Sequence, residues 1–367
     1  MVEMAPAPAP APAAAPAKTW KDFLTLEGLA DSYWMMNFAH GNSTLNGPQL
    51  RNFDVASNSF SLSYLKLGVG ASVENVSFRA DLGYGHTGGI INAAGAVGGP
   101  SYTPPDVGTA SPPATAVLTS QLYGSAFIVQ QAFASITFGQ LTLDFGKFVT
   151  TAGAEVIESN KNWLYSRSLL FYGIPLLHTG VRANFKASDM LTLQASVVNG
   201  WNNDPDNNGD KTFGLNATIT ASPMVSIYAT TYFGKEGPVG AEGDMKFLGD
   251  LVAAITLSPT AGLNLNVDYL KQGPTNFIGV AGMGHFVLSD HAALSVRGEF
   301  IKDKGIYIAG GEGSLFEATV GLSLPWAGHY ELRPEFRGDF SDKEIFSTGS
   351  EAKKNQFTGT IAALAYF

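Results

Sequence analysis

The chain has 367 residues, a net charge of −9, 42 glycines and 11% aromatic residues, but only 14% charged residues. Soluble proteins average about 25% charged side chains, so these are too few to coat several soluble domains. Cysteine is absent, which excludes disulfides and thiolate metal sites, and the acidic balance argues against nucleic acid as a partner.

Residues 1–20 alternate Ala and Pro and read as a flexible, extended periplasmic arm. The arm lacks the apolar core of a secretory signal, so the expectation is a mature chain numbered after signal removal, with an added Met. No later run approaches the ~18 apolar residues of a membrane-spanning helix.

From residue 21 to 367 the side chains alternate with period two. "NVSFRADLGYG" sets Val76, Phe78, Ala80, Leu82 and Tyr84 against Ser77, Arg79, Asp81 and Gly83. Successive strand side chains point to opposite faces, so one face is apolar and the other polar. "HTGVRANFK", "TFGLNATIT", "LNLNVDY" and "ALSVRGEF" repeat the pattern. In "HYELRPEFRGDF", Tyr330, Leu332, Phe336 and Phe340 oppose Glu331, Arg333, Glu335, Arg337 and Asp339. Pro334 removes a ladder hydrogen bond, and a local bulge is expected there.

Strands are expected over 23–38, 58–69, 75–86, 125–138, 140–148, 178–186, 190–199 and 212–221. Further strands follow over 224–233, 245–257, 262–271, 276–287, 291–302, 315–324, 329–340 and 356–367. That makes about sixteen, within a range of fourteen to eighteen because 58–69 and 276–287 alternate poorly. Every second connection is short, such as "GQ", "ASD" and "PWAG". Those between are long, at 39–57, 87–124, 149–177, 200–211, 234–244, 303–314 and 341–355, with "GPT" the short exception.

The expected fold is all-β: a single transmembrane, antiparallel, up-and-down β-barrel in a bacterial outer membrane. Its apolar face meets lipid and lipopolysaccharide, and its polar face lines water. A soluble sandwich would carry charge on its outer faces and turns of similar length at both ends. An even strand count leaves both termini periplasmic. The closing row "FTGTIAALAYF" ends in an aromatic, the kind of signal read by the barrel-assembly machinery.

No nucleophile elbow, H-E-x-x-H or phosphate loop is present, and the six histidines are scattered, so no enzyme and no cofactor is expected. A hydrolase assembled from separate strands would be visible only as geometry. In "DPDNNGD", Asp204, Asp206, Asn208 and Gly209 fit positions 1, 3, 5 and 6 of a calcium loop, but Leu215 stands where the twelfth-position Glu is required. The segment reads as a polar turn, leaving Asp204, Asp206 and Asn208 as weak metal candidates.

The third long loop, 149–177, carries Leu164, Leu169, Leu170, Phe171, Ile174 and Leu176, which water would disfavour. It is expected to fold into the lumen, with Glu155, Glu158, Lys161 and Arg167 at a constriction; the alternative is an outer lid or a contact with lipopolysaccharide or another protomer. Inward positive charges are Arg79, Arg182, Lys186, Arg297, Arg333 and Arg337. Negative ones are Glu27, Asp31, Asp81, Asp144, Asp250, Asp268, Glu299, Glu317, Glu331, Glu335 and Asp339. This excess suggests a weak preference for cations. Structural ion-pair ladders are the alternative role for the same residues.

"LTLDFGKFVTTAGAEVIES" (141–159), "NWLYSRSLLFYGIPLLHTGVR" (162–182) and "VVNGWNN" (197–203) resemble the OmpL-like β-barrel porins. "LRNFDVASNSFSLSYLKL" (50–67) and "FRADLGYGHTG" (78–88) resemble the early part of the same family. The resemblance implies an outer-membrane barrel that passes small hydrophilic solutes or ions by passive diffusion, and it implies no catalytic residue. A homo-oligomer such as a trimer is expected by analogy. The alternative is a non-conducting barrel acting as an anchor, adhesin or partner in an envelope complex.

Overall fold

The computed structural model describes residues 23–39, 48–97, 126–237, 242–347 and 351–367. The Ala/Pro-rich arm of residues 1–20 lies outside the described residues. Sixteen strands close into one antiparallel barrel. The first eight are β1 (Leu24–Asn37), β2 (Ser59–Val73), β3 (Val76–Tyr84), β4 (Phe127–Phe138), β5 (Leu141–Val149), β6 (Leu177–Lys186), β7 (Leu191–Val198) and β8 (Thr212–Ser222). They continue as β9 (Val225–Glu236), β10 (Asp244–Ser258), β11 (Ala261–Gln272), β12 (Thr275–Ser289), β13 (Ala292–Lys304), β14 (Glu312–Trp326) and β15 (Tyr330–Ser341). A small separate hairpin, β16 (Phe346–Ser347) with β17 (Ala352–Lys353), precedes β18 (Asn355–Tyr366), which completes the barrel. The connection read as a loop from 87 begins with a helix, α1 (His86–Val97).

Each strand pairs with its sequence neighbours, and β1 pairs with β18 from Leu29↔Tyr366 to Asn37↔Thr358 to close the ring. Gly28 and Phe367 exchange backbone hydrogen bonds of 3.0 and 3.1 Å beyond that seam. The short turns need special backbone only locally: Gly139 takes φ +59° between β4 and β5, a left-handed conformation that glycine adopts without strain.

The outer wall is apolar and the inner wall is charged. Phe60 is 89% exposed and Phe145 71%, whereas Arg337 and Asp268 are fully buried. Lipid can solvate the first pair but not the second, so the alternation is the inverse of a soluble sheet.

Two strands that alternate poorly in sequence have distinct causes. In β2 the register shifts between Asp31↔Tyr64 and Ser32↔Leu62, so Ser63 and Tyr64 both turn inward and the phase flips. In β12 the inward Phe277, Gly279, Ala281 and Met283 are as apolar as the outward Ile278 and Val280. No bulge forms at Pro334, contrary to the sequence expectation. Pairing runs from Gly321↔Glu335 to Leu324↔Leu332 without a shift, and Pro334 pairs with Ile361 in an unbroken register. The missing N–H is accommodated by skipping two ladder pairs rather than by inserting a residue.

The apolar core lies inside the ring. Leu169, Leu170, Phe171 and Ile174 of the β5–β6 connection cluster with Phe53 and Val55 from the β1–β2 connection and with Phe277, Ile301 and Leu315 from the wall. This explains the apolar inner face of β12.

Candidate functional site: the inner wall and segment 150–176

The β5–β6 connection descends along the wall and returns. Near its start the N–H groups of Gly153 and Ala154 donate to Asp250 (3.1 Å) and Asn266 (3.2 Å). A 3₁₀ turn, Ser159–Lys161, follows, and Trp163 stacks on His285 near the short-turn end of β12 (ring centroids 5.3 Å apart). The chain then climbs to a five-residue helix, α2 (Leu169–Gly173), capped by the Ser168 hydroxyl accepting from the Phe171 N–H at 2.9 Å. A Cβ on Gly279 would fall 2.4 Å from Leu170, and one on Gly321 would fall 2.9 Å from Leu164. These two positions let the segment lie directly on the wall.

An irregular segment in contact with a wall must satisfy its peptide groups without a ladder. Here the charged side chains of β13–β15 do so. Glu299 accepts the N–H groups of Leu169 (3.0 Å) and Leu170 (3.1 Å), and Glu335 accepts those of Tyr165 (2.7 Å) and Ser166 (3.2 Å). Arg333 donates to the carbonyls of Ser159 (2.6 Å) and Asn162 (2.8 Å), and Arg337 to that of Arg167 (2.5 Å). Carboxylates take amides and guanidiniums take carbonyls, so each wall charge makes the stronger, charge-assisted kind of hydrogen bond.

The residues singled out by sequence fall into three groups. Arg297, Glu299, Glu331, Arg333, Glu335, Arg337 and Asp339 are buried. Arg297 bridges Glu317 at 3.0 Å, Arg337 bridges Asp339 at 2.7 Å, and Arg333 bridges Glu331 at 2.6 Å. Asp268 faces Asp250 across the β10–β11 ladder, and the Asn266 amide donates to both at 2.8 Å. Arg79 and Asp81 join at 2.6 Å, Arg182 and Asp144 at 2.8 Å, and Lys186 reaches Asp189 at 2.8 Å on the rim.

Within the segment, Glu155 pairs with Arg297 at 3.0 Å and Glu158 pairs with Lys66. Burial opposes ionisation of Glu158, but the Lys66 ammonium outweighs it and holds the carboxyl below its ordinary range. Lys161 is half exposed and lies 3.5 Å from Glu27. Arg167 turns back onto the carbonyls of Val156, Ile157 and Tyr165, with its guanidinium 5.3 Å from the Phe53 ring centroid.

Between the segment and the opposite wall lies a cavity of about 590 Å³. Glu155, Glu158 and Lys161 line it from the segment, and Lys66, Arg79 and Asp81 from β2 and β3. Arg167 is not part of that lining. Sequence reasoning missed Lys66, because the β2 bulge hides its direction. It also missed Arg51 of the β1–β2 connection, which pairs with Asp54 at 2.6 Å and reaches Asp339 at 3.6 Å. The opposite charges Arg51 and Asp54, interleaved with Leu50, Phe53 and Val55 in "LRNFDV", were the available signal for Arg51.

The DPDNNGD turn is closed by its own chain. Asp206 accepts the N–H groups of Asn208 (3.0 Å) and Gly209 (3.1 Å) and pairs with Lys211, while Asp204 lies 3.4 Å from Lys147. Among the described residues no group of three His, Cys, Asp or Glu side chains is placed to hold a metal ion.

A sixteen-strand barrel with charged residues inside and an internal segment is the frame against which relatives can be compared. The family described as beta-barrel porin-2, OmpL-like, matches residues 23–367. The chain belongs to this porin family. Porins of known structure share its fold. The anion-selective porin from Comamonas acidovorans is 10% identical, with 94% of this chain and 99% of that one covered and a TM-score of 0.61. The outer membrane channel DcaP of Acinetobacter baumannii is 12% identical, with 94% and 97% covered and a TM-score of 0.59. OmpT of Vibrio cholerae in its trimer form, an outer membrane protein, is 12% identical, with 94% and 99% covered and a TM-score of 0.57. At such identities the likeness concerns the fold alone. No curated protein matches the chain in sequence.

Proposed function

We propose that this porin forms a water-filled conduit for passive diffusion of small hydrophilic solutes and ions across the bacterial outer membrane. In this reading both termini and the short turns face the periplasm. The observation that carries it is the cavity of about 590 Å³ between segment 150–176 and the far wall. Sixteen strands enclose more space than wall side chains can fill, and the segment supplies the constriction such a barrel needs.

Ion preference in this reading is weak and favours cations. The support for this is the excess of inward acids over inward bases along the strands; Asp31, Asp250, Asp268 and Glu335 themselves are buried behind the cavity lining, where they accept hydrogen bonds from hydroxyl, amide or backbone groups. The other inward acids are largely spent on arginines and lysines. Planar-bilayer recording tests both parts. An ohmic open state with a cation-sided reversal potential in a salt gradient is the expected result. A silent barrel would favour the anchor or adhesin reading instead.

A further inference from the structure

We infer that the conduit favours uncharged, hydroxyl-bearing solutes of sugar or polyol size over charged solutes of equal size; this rests on the diffusion reading above. The β8–β11 side of the wall carries no charge where it meets the cavity. It presents Asn216 and Thr218 of β8, Tyr228 of β9 and Asn264 of β11, with Val252 and Ala254 of β10 between them. On the neighbouring inner faces β7 continues the pattern with Gln194 and Ser196, while on β6 Asn184 stands between Arg182, held by Asp144 at 2.8 Å, and Lys186, held by Asp189 at 2.8 Å. The segment answers with Thr150, Thr151, Ala152, Gly153 and Ala154, also uncharged.

The charges that do line the cavity cancel. Lys66, Arg79 and Lys161 stand against Asp81, Glu155 and Glu158, three of each sign. All are paired at short range: Lys66 with Asp81 at 3.0 Å, Arg79 with Glu27 at 2.8 Å, and Lys161 with the same Glu27 at 3.5 Å. Glu155 is held by Arg297 and Glu158 by Lys66. A charged organic solute entering here would shed hydration without gaining a free counter-charge. Amide and hydroxyl side chains both donate and accept, as the hydroxyls of a polyol do, so a neutral solute can exchange water for wall contacts one for one. Tyr228, 37% exposed on the inner face, adds an apolar ring surface for the C–H face of a sugar. The volume also falls within the ~300–1,000 Å³ common for small-molecule sites.

The test is osmotic swelling of liposomes carrying the full-length porin, with glucose, glucosamine and gluconate as probes and KCl conductance recorded in parallel. Glucose influx should exceed that of both charged analogues by about threefold. Thr218→Lys should slow glucosamine and speed gluconate, and Asn264→Asp should do the reverse. Equal rates for the three solutes in a conducting porin overturn the solute preference and leave the diffusion reading standing, as does faster entry of either charged analogue. Absence of both swelling and conductance overturns the diffusion reading and this inference with it.

Discussion

Arg297 and Glu155 meet at 3.0 Å although 142 residues separate them in the chain. Arg297 also holds Glu317 at 3.0 Å and donates to the Ser166 carbonyl at 2.8 Å. One guanidinium therefore ties strand β13 to its neighbour β14 and to both limbs of the internal segment.

Arg297→Met should be costly, because it strands Glu155 in a buried site and leaves Glu317 only Arg337, at 3.5 Å. Breaking such a pair costs about 3–5 kcal/mol. The expected readout is a lower temperature for loss of the compact barrel band on gels, together with a larger single-channel conductance as the segment loosens. Arg297→Lys should recover little, since an ammonium cannot reproduce the forked contacts. A Met variant with unchanged melting and conductance would contradict the tethering role.

Gly279→Leu should push α2 away from β12, because any Cβ there meets Leu170. Overpacking of this kind costs about 1–3 kcal/mol. Conductance should change along with stability. Gly298→Leu is the control: nothing lies within 4 Å of a Cβ at that position, so both measurements should stay at wild-type values.

The Glu158–Lys66 pair sets a pH window. Because the folded state holds the Glu158 carboxyl below its ordinary range, its stabilisation is full above that range and is lost only as pH falls through the depressed folded value. The difference in conductance between the wild type and Glu158→Gln should therefore stay constant as pH drops from neutrality through the ordinary carboxylate range, and change only below it. Glu158→Gln should lose the plateau's lower edge, leaving a profile shaped by other groups. A transition centred at or above the ordinary Glu value that is present in the wild type and absent from Glu158→Gln would argue against the pair.

Asp250 and Asp268 face one another across the β10–β11 ladder, where like charges repel. Asp268→Asn should stabilise the barrel by up to ~1 kcal/mol. A destabilised variant would mean that the contact between the Asp268 and Asp250 carboxyls holds the two strands together rather than repelling them.

Strand alternation, turn placement and the contrast of short and long connections made the barrel legible from sequence, down to its sixteen strands. They carry that information because lipid and water impose opposite demands on adjacent residues. The irregular stretches were legible only in part. Ser63 and Tyr64 break the period of β2 by both facing inward, and β12 loses its contrast because its inner face meets α2 rather than water. Least legible were the partners of the charged rows. Glu299 and Glu335 bind backbone N–H groups, and peptide groups leave no trace in side-chain patterns. The same charges that look pore-facing by periodicity are covered by a segment whose path depends on contacts far apart in sequence.

Those separations bear on the order of assembly. Ser159 and Asn162 dock on Arg333, and Tyr165 on Glu335, across 170 residues or more of intervening chain. Contacts of such span form late, since long loops must close before they are rewarded. The inner segment emerges well before the strands that anchor it, while the β1–β18 seam requires the final residues of the chain. Once that seam has zipped, the segment can reach its tethers only through the end of the ring at which β5 and β6 meet. The tethers also sit on β15, the strand that pairs with β18, so a substitution that weakens them should be felt in the yield of closed barrels as well as in the current they carry.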